Sequence, residues 1–127
     1  MDPNRIGVYG LSAGACLLPI HAVGERRLKA AVLGSVGLFF VEGQLPEADP
    51  FNFLSRFRVP TLMIDGRTDF IFPLESSQRP MFQLLGTPEK DKNLVLLDGG
   101  HGDLRAHTQQ VMKEALAWFD RYLGPVK

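Results

Sequence analysis

Arg5-Ile6-Gly7-Val8-Tyr9-Gly10-Leu11-Ser12-Ala13-Gly14 reads as a strand, a sharp turn carrying one serine, and the start of a helix. Ile6, Val8 and Tyr9 suit a buried strand. Gly10-Leu11-Ser12-Ala13-Gly14 has the spacing G-x-S-x-G, in which the serine stands at the tip of a strained strand-to-helix turn with its hydroxyl clear of the sheet. Such a turn asks for small residues two before and two after the serine, where strand and helix backbones nearly touch. The helix that follows aims its N-terminus at the serine and leaves the Ala13 amide free to donate to an oxyanion. By themselves the same five residues also describe a Gly-rich turn with a helix-capping serine.

The rest of the chain repeats the pattern. Arg5 to Gly10 is the first predicted strand, and Ala13 to about Val23 a helix that Pro19 kinks or shortens. Leu28 to Val36 is a second strand, nearly all apolar, as befits a parallel strand covered on both faces. Val59 to Gly66 is the third, with Pro60 at its start where no ladder bond is needed. Glu75 to Leu85 is a helix that Pro80 interrupts, and Asn93 to Leu97 the fourth strand. The last helix is the clearest: Met112, Ala115, Leu116, Phe119 and Leu123 recur at helical spacing, Asp103 is a plausible N-cap, and Gly124-Pro125 a stop. Strand and helix alternate four times, which predicts an α/β fold with a four-stranded parallel sheet and helices on both faces.

Bulk numbers narrow the function. A chain of 127 residues fits one domain, here 1–127, with a real core. Hydrophobic residues make up 45% and charged residues 22%, an ordinary globular balance. Fourteen basic residues balance fourteen acidic ones, which argues against nucleic acid or an anionic membrane as the main partner and permits self-association. The single cysteine, Cys16, excludes an intramolecular disulfide framework and reads as a packing residue. No signal peptide or membrane span is evident, so a cytoplasmic setting is expected. The turn Glu25-Arg26-Arg27 reads as solvated.

In a parallel sheet, chemistry collects at the loops that follow the strands' C-terminal ends. Ser12 follows the first strand, Asp69 the third and His101 the fourth. A serine hydroxyl is a weak nucleophile at neutral pH and needs a base; His101, flanked by Gly100 and Gly102, has the freedom to reach it, and Asp69 would fix its tautomer. Asp65, at the strand end, is a rival acid one step too early. Asp103 looks committed to capping. Five phenylalanines (39, 40, 51, 53 and 57) crowd the irregular stretch 37–58, either as packing or as walls of an apolar acyl pocket. Leu11, Phe39, Phe40, Phe70 and Ile71 are the candidates for lining that pocket. His101, Asp103 and His107 form no strong metal-ligand pattern, so no metal and no cofactor is expected.

The order Ser12, Asp69, His101, together with Gly66-Arg-Thr-Asp-Phe-Ile-Phe-Pro73 and Gly99-Gly-His101, resembles the C-terminal half of the α/β-hydrolase superfamily, in its dienelactone hydrolase and prolyl oligopeptidase-like branch. More narrowly, Ala48-Asp-Pro-Phe-Asn-Phe53, Gln78-Arg-Pro-Met-Phe82, Leu85-Gly-Thr-Pro-Glu-Lys-Asp-Lys92 and Trp118-Phe-Asp-Arg-Tyr-Leu-Gly-Pro-Val126 are similar to hydrolase domains at the C-terminus of some bacterial multidomain proteins. The resemblance implies Ser12 as nucleophile, His101 as base, Asp69 as acid and Ala13 as one oxyanion amide. It implies a truncated α/β-hydrolase acting on small, short-chain esters as a weak, promiscuous carboxylesterase. In the family, strands preceding the elbow strand supply the second oxyanion donor; the chain starts at the elbow strand, and the aromatic residue often found after the nucleophile is Ala13 here. These departures lead to the expectation of a homo-oligomer in which a second copy covers the exposed sheet edge, and the alternative to the esterase is a catalytically inactive remnant serving as a binding or oligomerisation module.

Overall fold

The computed structural model describes residues 2–126. Its sheet has four parallel strands in the order β1 (Ile6–Leu11), β2 (Leu28–Gly34), β3 (Thr61–Gly66) and β4 (Lys92–Leu97). Between and after them run α1 (Ala13–Ala22), α2 (Arg79–Leu84) and α3 (Thr108–Leu123). Short 3-10 turns occupy Pro46–Ala48, Pro50–Arg56, Glu89–Asp91 and Asp103–Arg105, and a π-type turn Leu74–Gln78 leads into α2.

The alternation of side chains along the central strands makes the two faces. Ala31 and Leu33 of β2 and Met63 of β3 point to one side, where Ala15, Cys16 and Ala22 of α1 pack with Leu54, Phe57, Met81 and Leu85. Ala30, Val32, Leu62 and Ile64 point to the other, against Val111, Ala115 and Trp118 of α3. Helices therefore cover both faces, and residues 30–34 of β2 and 62–64 of β3 are apolar because both of their faces are buried.

Several boundaries differ from the sequence reading for local reasons. Helix α1 runs straight through Pro19 to Ala22. β2 stops at Gly34, short of Val36, because Ser35 turns into the left-handed region (φ +49°). Pro80 lies in the first turn of α2, where it starts a helix instead of interrupting one. Asp103 does not cap α3; His107 stands at that position without a side-chain cap bond, and Asp103 Oδ2 instead accepts from the Gly100 amide at 2.7 Å. The buried stripe of α3 is Val111, Ala115 and Trp118, whereas Met112 and Leu116 are about half exposed. Leu116, Phe119 and Leu123 reach past the sheet to line, with Gly7, a groove of about 850 Å³ along the outer edge of β1. The guanidinium of Arg5 closes the C-terminus of α3 by donating to the carbonyls of Leu123, Gly124 and Pro125.

The register sets up the site. Leu11 lies opposite Gly34, Gly34 opposite Ile64, and Gly66 opposite Leu97, so the four strands end nearly level. The loops that follow β1, β2, β3 and β4 all leave from that one edge. No helix among the described residues is long and apolar enough to cross a membrane.

Candidate active site

Ser12 connects β1 to α1 with φ +49° and ψ −117°, a backbone conformation that non-glycine residues rarely take. Its amide donates to Gly34 O on β2 (2.8 Å), and its carbonyl accepts the Cys16 amide in the first turn of α1 (2.9 Å). Its side chain makes no cap bond, so the hydroxyl is free for other work. A Cβ on Gly10 would sit 2.8 Å from the Ala15 Cα, which explains the small residue two before the serine. At Gly14 the same atom would meet nothing within 4 Å, so the second glycine of the motif is not required by packing among the described residues.

Three loops bring their polar groups together. Ser12 Oγ lies 2.8 Å from His101 Nε2, and His101 Nδ1 lies 2.9 Å from Asp69 Oδ2. The Asp69 side chain is fully buried and that of His101 is 19% exposed, so the relay runs from the interior to the surface. Asp69 Oδ1 accepts the amides of Ile71 (2.8 Å) and Phe72 (3.0 Å), which locks the carboxylate so that Oδ2 faces the imidazole. The ring of Phe72 stands 5.4 Å from that of His101 and walls its flank. Ala13 is the first residue of α1, so its N–H has no carbonyl partner within the helix. Beside Ser12 a cavity of about 260 Å³ is lined by Leu11, Ser35, His101, Gly102, Leu104 and Arg105.

Of the pocket residues expected from sequence, Leu11 lines this cavity. Phe39 lies elsewhere, packed edge-on against Phe51 (5.1 Å) and tilted on Phe72 (6.0 Å). Phe40 and Phe70 are largely exposed, and Ile71 about half. Three positions escaped the sequence reading. Ser35 and Arg105 line the cavity, and Gln78 clamps the Asp69 loop by donating through Nε2 to the carbonyls of Gly66 and Phe72, both at 2.8 Å. No motif marks a lone Ser, Arg or Gln; only the tertiary contact gives each its place.

Asp65, the rival acid, turns away from the imidazole. Its Oδ1 accepts the Val36 amide at 2.6 Å, and its Oδ2 is buried without a hydrogen-bond partner among the described residues. Burial raises its carboxyl from an ordinary 3.8 to about 8, the Val36 amide opposes the rise, and the charge of Asp69 adds to it. Between about pH 4 and about pH 8 the folded chain therefore keeps a proton that the unfolded chain has lost, and stability falls as pH rises through that window before levelling off. Asp65→Asn, uncharged and nearly isosteric, is expected to flatten this decline; urea midpoints measured across the window report it. Cys16 is buried, and burial pushes its thiol up to about 11, which keeps it protonated and inert at neutral pH.

His101, Asp103 and His107 do not form a metal set. Asp103 is bound to the Gly100 amide, and His107 Nε2 donates to Asp98 O at 2.6 Å. Among the described residues no group of three His, Cys, Asp or Glu side chains converges.

A serine elbow after the first strand, with an aspartate and a histidine from later strand ends of the same parallel sheet, defines half of an α/β-hydrolase fold. The chain belongs to the PET hydrolase-like family, which matches residues 1–125. A cold-adapted esterase from an Arctic intertidal metagenomic library is similar in structure, with a TM-score of 0.74 at 26% identity, over 95% of this chain and 50% of that one. A Pyrococcus furiosus esterase superposes with a TM-score of 0.78 at 18% identity, over 94% of this chain and 55% of that one. The acylaminoacyl peptidase of Pyrococcus horikoshii superposes with a TM-score of 0.71 at 18% identity, over 99% of this chain and 25% of that one. The chain thus spans about half the length of the esterases it matches. No curated protein matches it.

Proposed function

We propose that this chain is the catalytic half of a serine hydrolase acting on small carboxylic esters, with Ser12 as nucleophile, His101 as general base and Asp69 as the acid that orients it. The observation that carries the reading is the continuous relay from Ser12 Oγ through both ring nitrogens of His101 to Asp69 Oδ2. Ser12 Oγ attacks the acyl carbon while its proton passes to His101 Nε2. The carbonyl oxygen becomes an oxyanion, to which the Ala13 N–H donates. The ester C–O bond then breaks, and the proton on Nε2 goes to the departing alkoxide, leaving an acyl-serine. Water attacks that acyl group, gives its proton to Nε2, and Ser12 is regenerated as the acid departs.

The cavity of about 260 Å³ beside Ser12 favours short acyl groups. Ala13 is the oxyanion donor identified among the described residues, and the loss of one such donor typically costs about 10²–10³-fold in rate. The test is hydrolysis of p-nitrophenyl acetate and butyrate in the presence of a chelator, with mass-spectrometric mapping of a fluorophosphonate label. Turnover with the label on the Ser12 peptide is the expected result. A label on another serine rules the assignment out, and an unlabelled protein without turnover rules it out in favour of a binding role.

A further inference from the structure

The segment Gly34-Ser35-Val36 is bonded to Ser12, to the main chain of His101 and to the strand that leads to Asp69. Gly34 O accepts the Ser12 amide at 2.8 Å, which ties the end of β2 to the nucleophile. Ser35 Oγ donates to the main-chain carbonyl of His101 at 2.9 Å, which ties it to the base. The Val36 amide donates to Asp65 Oδ1 at 2.6 Å, and the Ser35 amide to Ile64 O at 3.0 Å, which tie it to β3, the strand that leads to the Asp69 loop.

Ser35 makes these directions compatible only by taking φ +49°, and it is 1% exposed. A non-glycine residue held in the left-handed region must be over-determined by its surroundings, and such strain gathers at functional sites. Here the surroundings are on the page: the hydroxyl, the amide and both flanking residues are all engaged. The left-handed turn at Ser35 ends β2 and brings its hydroxyl against the His101 loop.

That loop needs an anchor. His101 lies between two glycines, and Gly99 has φ +130°. Asp69 and Ser12 hold the two ends of the imidazole, but neither holds the main chain that carries it. Among the described residues the Ser35 hydroxyl makes the one hydrogen bond to the main chain of His101.

We propose that Ser35 is a positioning residue of this site, fixing the His101 main chain against the strand end that also fixes Ser12. Because one turn holds both, nucleophile and base keep their separation when the loops around them move. The assignment rests on the serine hydrolase reading above. It also accounts for a serine where glycine would be the unstrained choice: glycine would take the turn but leave the His101 carbonyl without the Ser35 donor.

Ser35→Ala removes the hydroxyl and keeps the strain, whereas Ser35→Gly removes both. The expected result is a kcat for p-nitrophenyl acetate about 10-fold to 10²-fold lower in both variants, with KM changed by less than about two-fold. The glycine variant should melt no lower than the alanine variant. A glycine variant with wild-type kcat, or a rise in KM with kcat unchanged, overturns the proposal, because Ser35 would then serve the fold or the pocket alone.

The His101 Nδ1 proton provides a readout that does not depend on turnover. Its low-field NMR resonance reports the bond to Asp69 and is expected to broaden or vanish in both variants. If wild-type protein shows no Ser12-dependent turnover, the hydrolase reading fails by itself, and this resonance decides the role of Ser35: loss in both variants supports the anchor, and an unchanged signal overturns it.

Discussion

Ser12→Ala is expected to lower kcat for p-nitrophenyl acetate by on the order of 10⁴-fold or more while leaving the fold in place. The hydroxyl is the group that His101 Nε2 meets at 2.8 Å, and nothing else in the cavity is aligned to replace it. A water molecule in the space left behind lacks the covalent tether that holds Oγ in line. The Ala13 amide and the cavity remain, so a trace of activity above the uncatalysed rate survives. Stability is a separate matter. Ser12 makes no side-chain cap bond, so the substitution loses one hydrogen bond, worth about 1 kcal/mol, or a few degrees of Tm. The measurement is kcat beside a thermal melt; a correctly folded variant that retains a tenth of wild-type turnover assigns the chemistry to another group.

Gly66→Ala is expected to cost about 3 kcal/mol or more and to lower Tm by roughly 10 °C. The new Cβ would lie 2.5 Å from Gly99 O, 2.6 Å from Gly100 O and 3.0 Å from the Gly100 carbonyl carbon. All three are backbone atoms, so no side chain can swing aside. The loop after β3 must separate from the loop after β4, and the bonds from Arg67 N to Leu97 O (2.8 Å) and Thr68 N to Gly99 O (3.0 Å) are the ones at risk. Those two loops carry Asp69 and His101. A displacement of about 1 Å between them typically costs around 10²-fold in rate, so kcat should fall together with Tm. Calorimetry and turnover on the same preparation test both parts, and an unchanged Tm would show that the close approach is not needed.

The fold and the candidate relay were legible because both depend on order along the chain. Apolar runs separated by glycine- and proline-marked turns placed four strands, and the residue after each strand end could be read without knowing any contact. Ser12, Asp69 and His101 stand out in this way. What escaped depends on contact between distant segments. Val36 is as apolar as the strand before it, so only the left-handed Ser35 reveals that β2 has ended. Asp103 has the composition of a helix cap, but its nearest unpaired amide belongs to Gly100. Met112 and Leu116 fit the helical repeat of α3, but the sheet receives the stripe one residue earlier. Phe40 and Phe70 are hydrophobic enough to wall a pocket, but nothing in their type says which way their loops turn.

The level strand ends also determine when the site comes into being. Ser12 and His101 are 89 positions apart, and His101 and Asp69 are 32 apart. The contact of His101 with Asp69 waits for β4 to dock on β3, and the contact of Ser12 with His101 waits for the whole row, β1 on β2, β2 on β3 and β3 on β4. Parallel pairing closes long loops before it rewards them, and it is slow for that reason. During refolding, helical signal should return early and catalytic turnover last, at the pace of the final strand. A chain that has regained most of its secondary structure can still be chemically silent, and the return of turnover times the completion of the sheet.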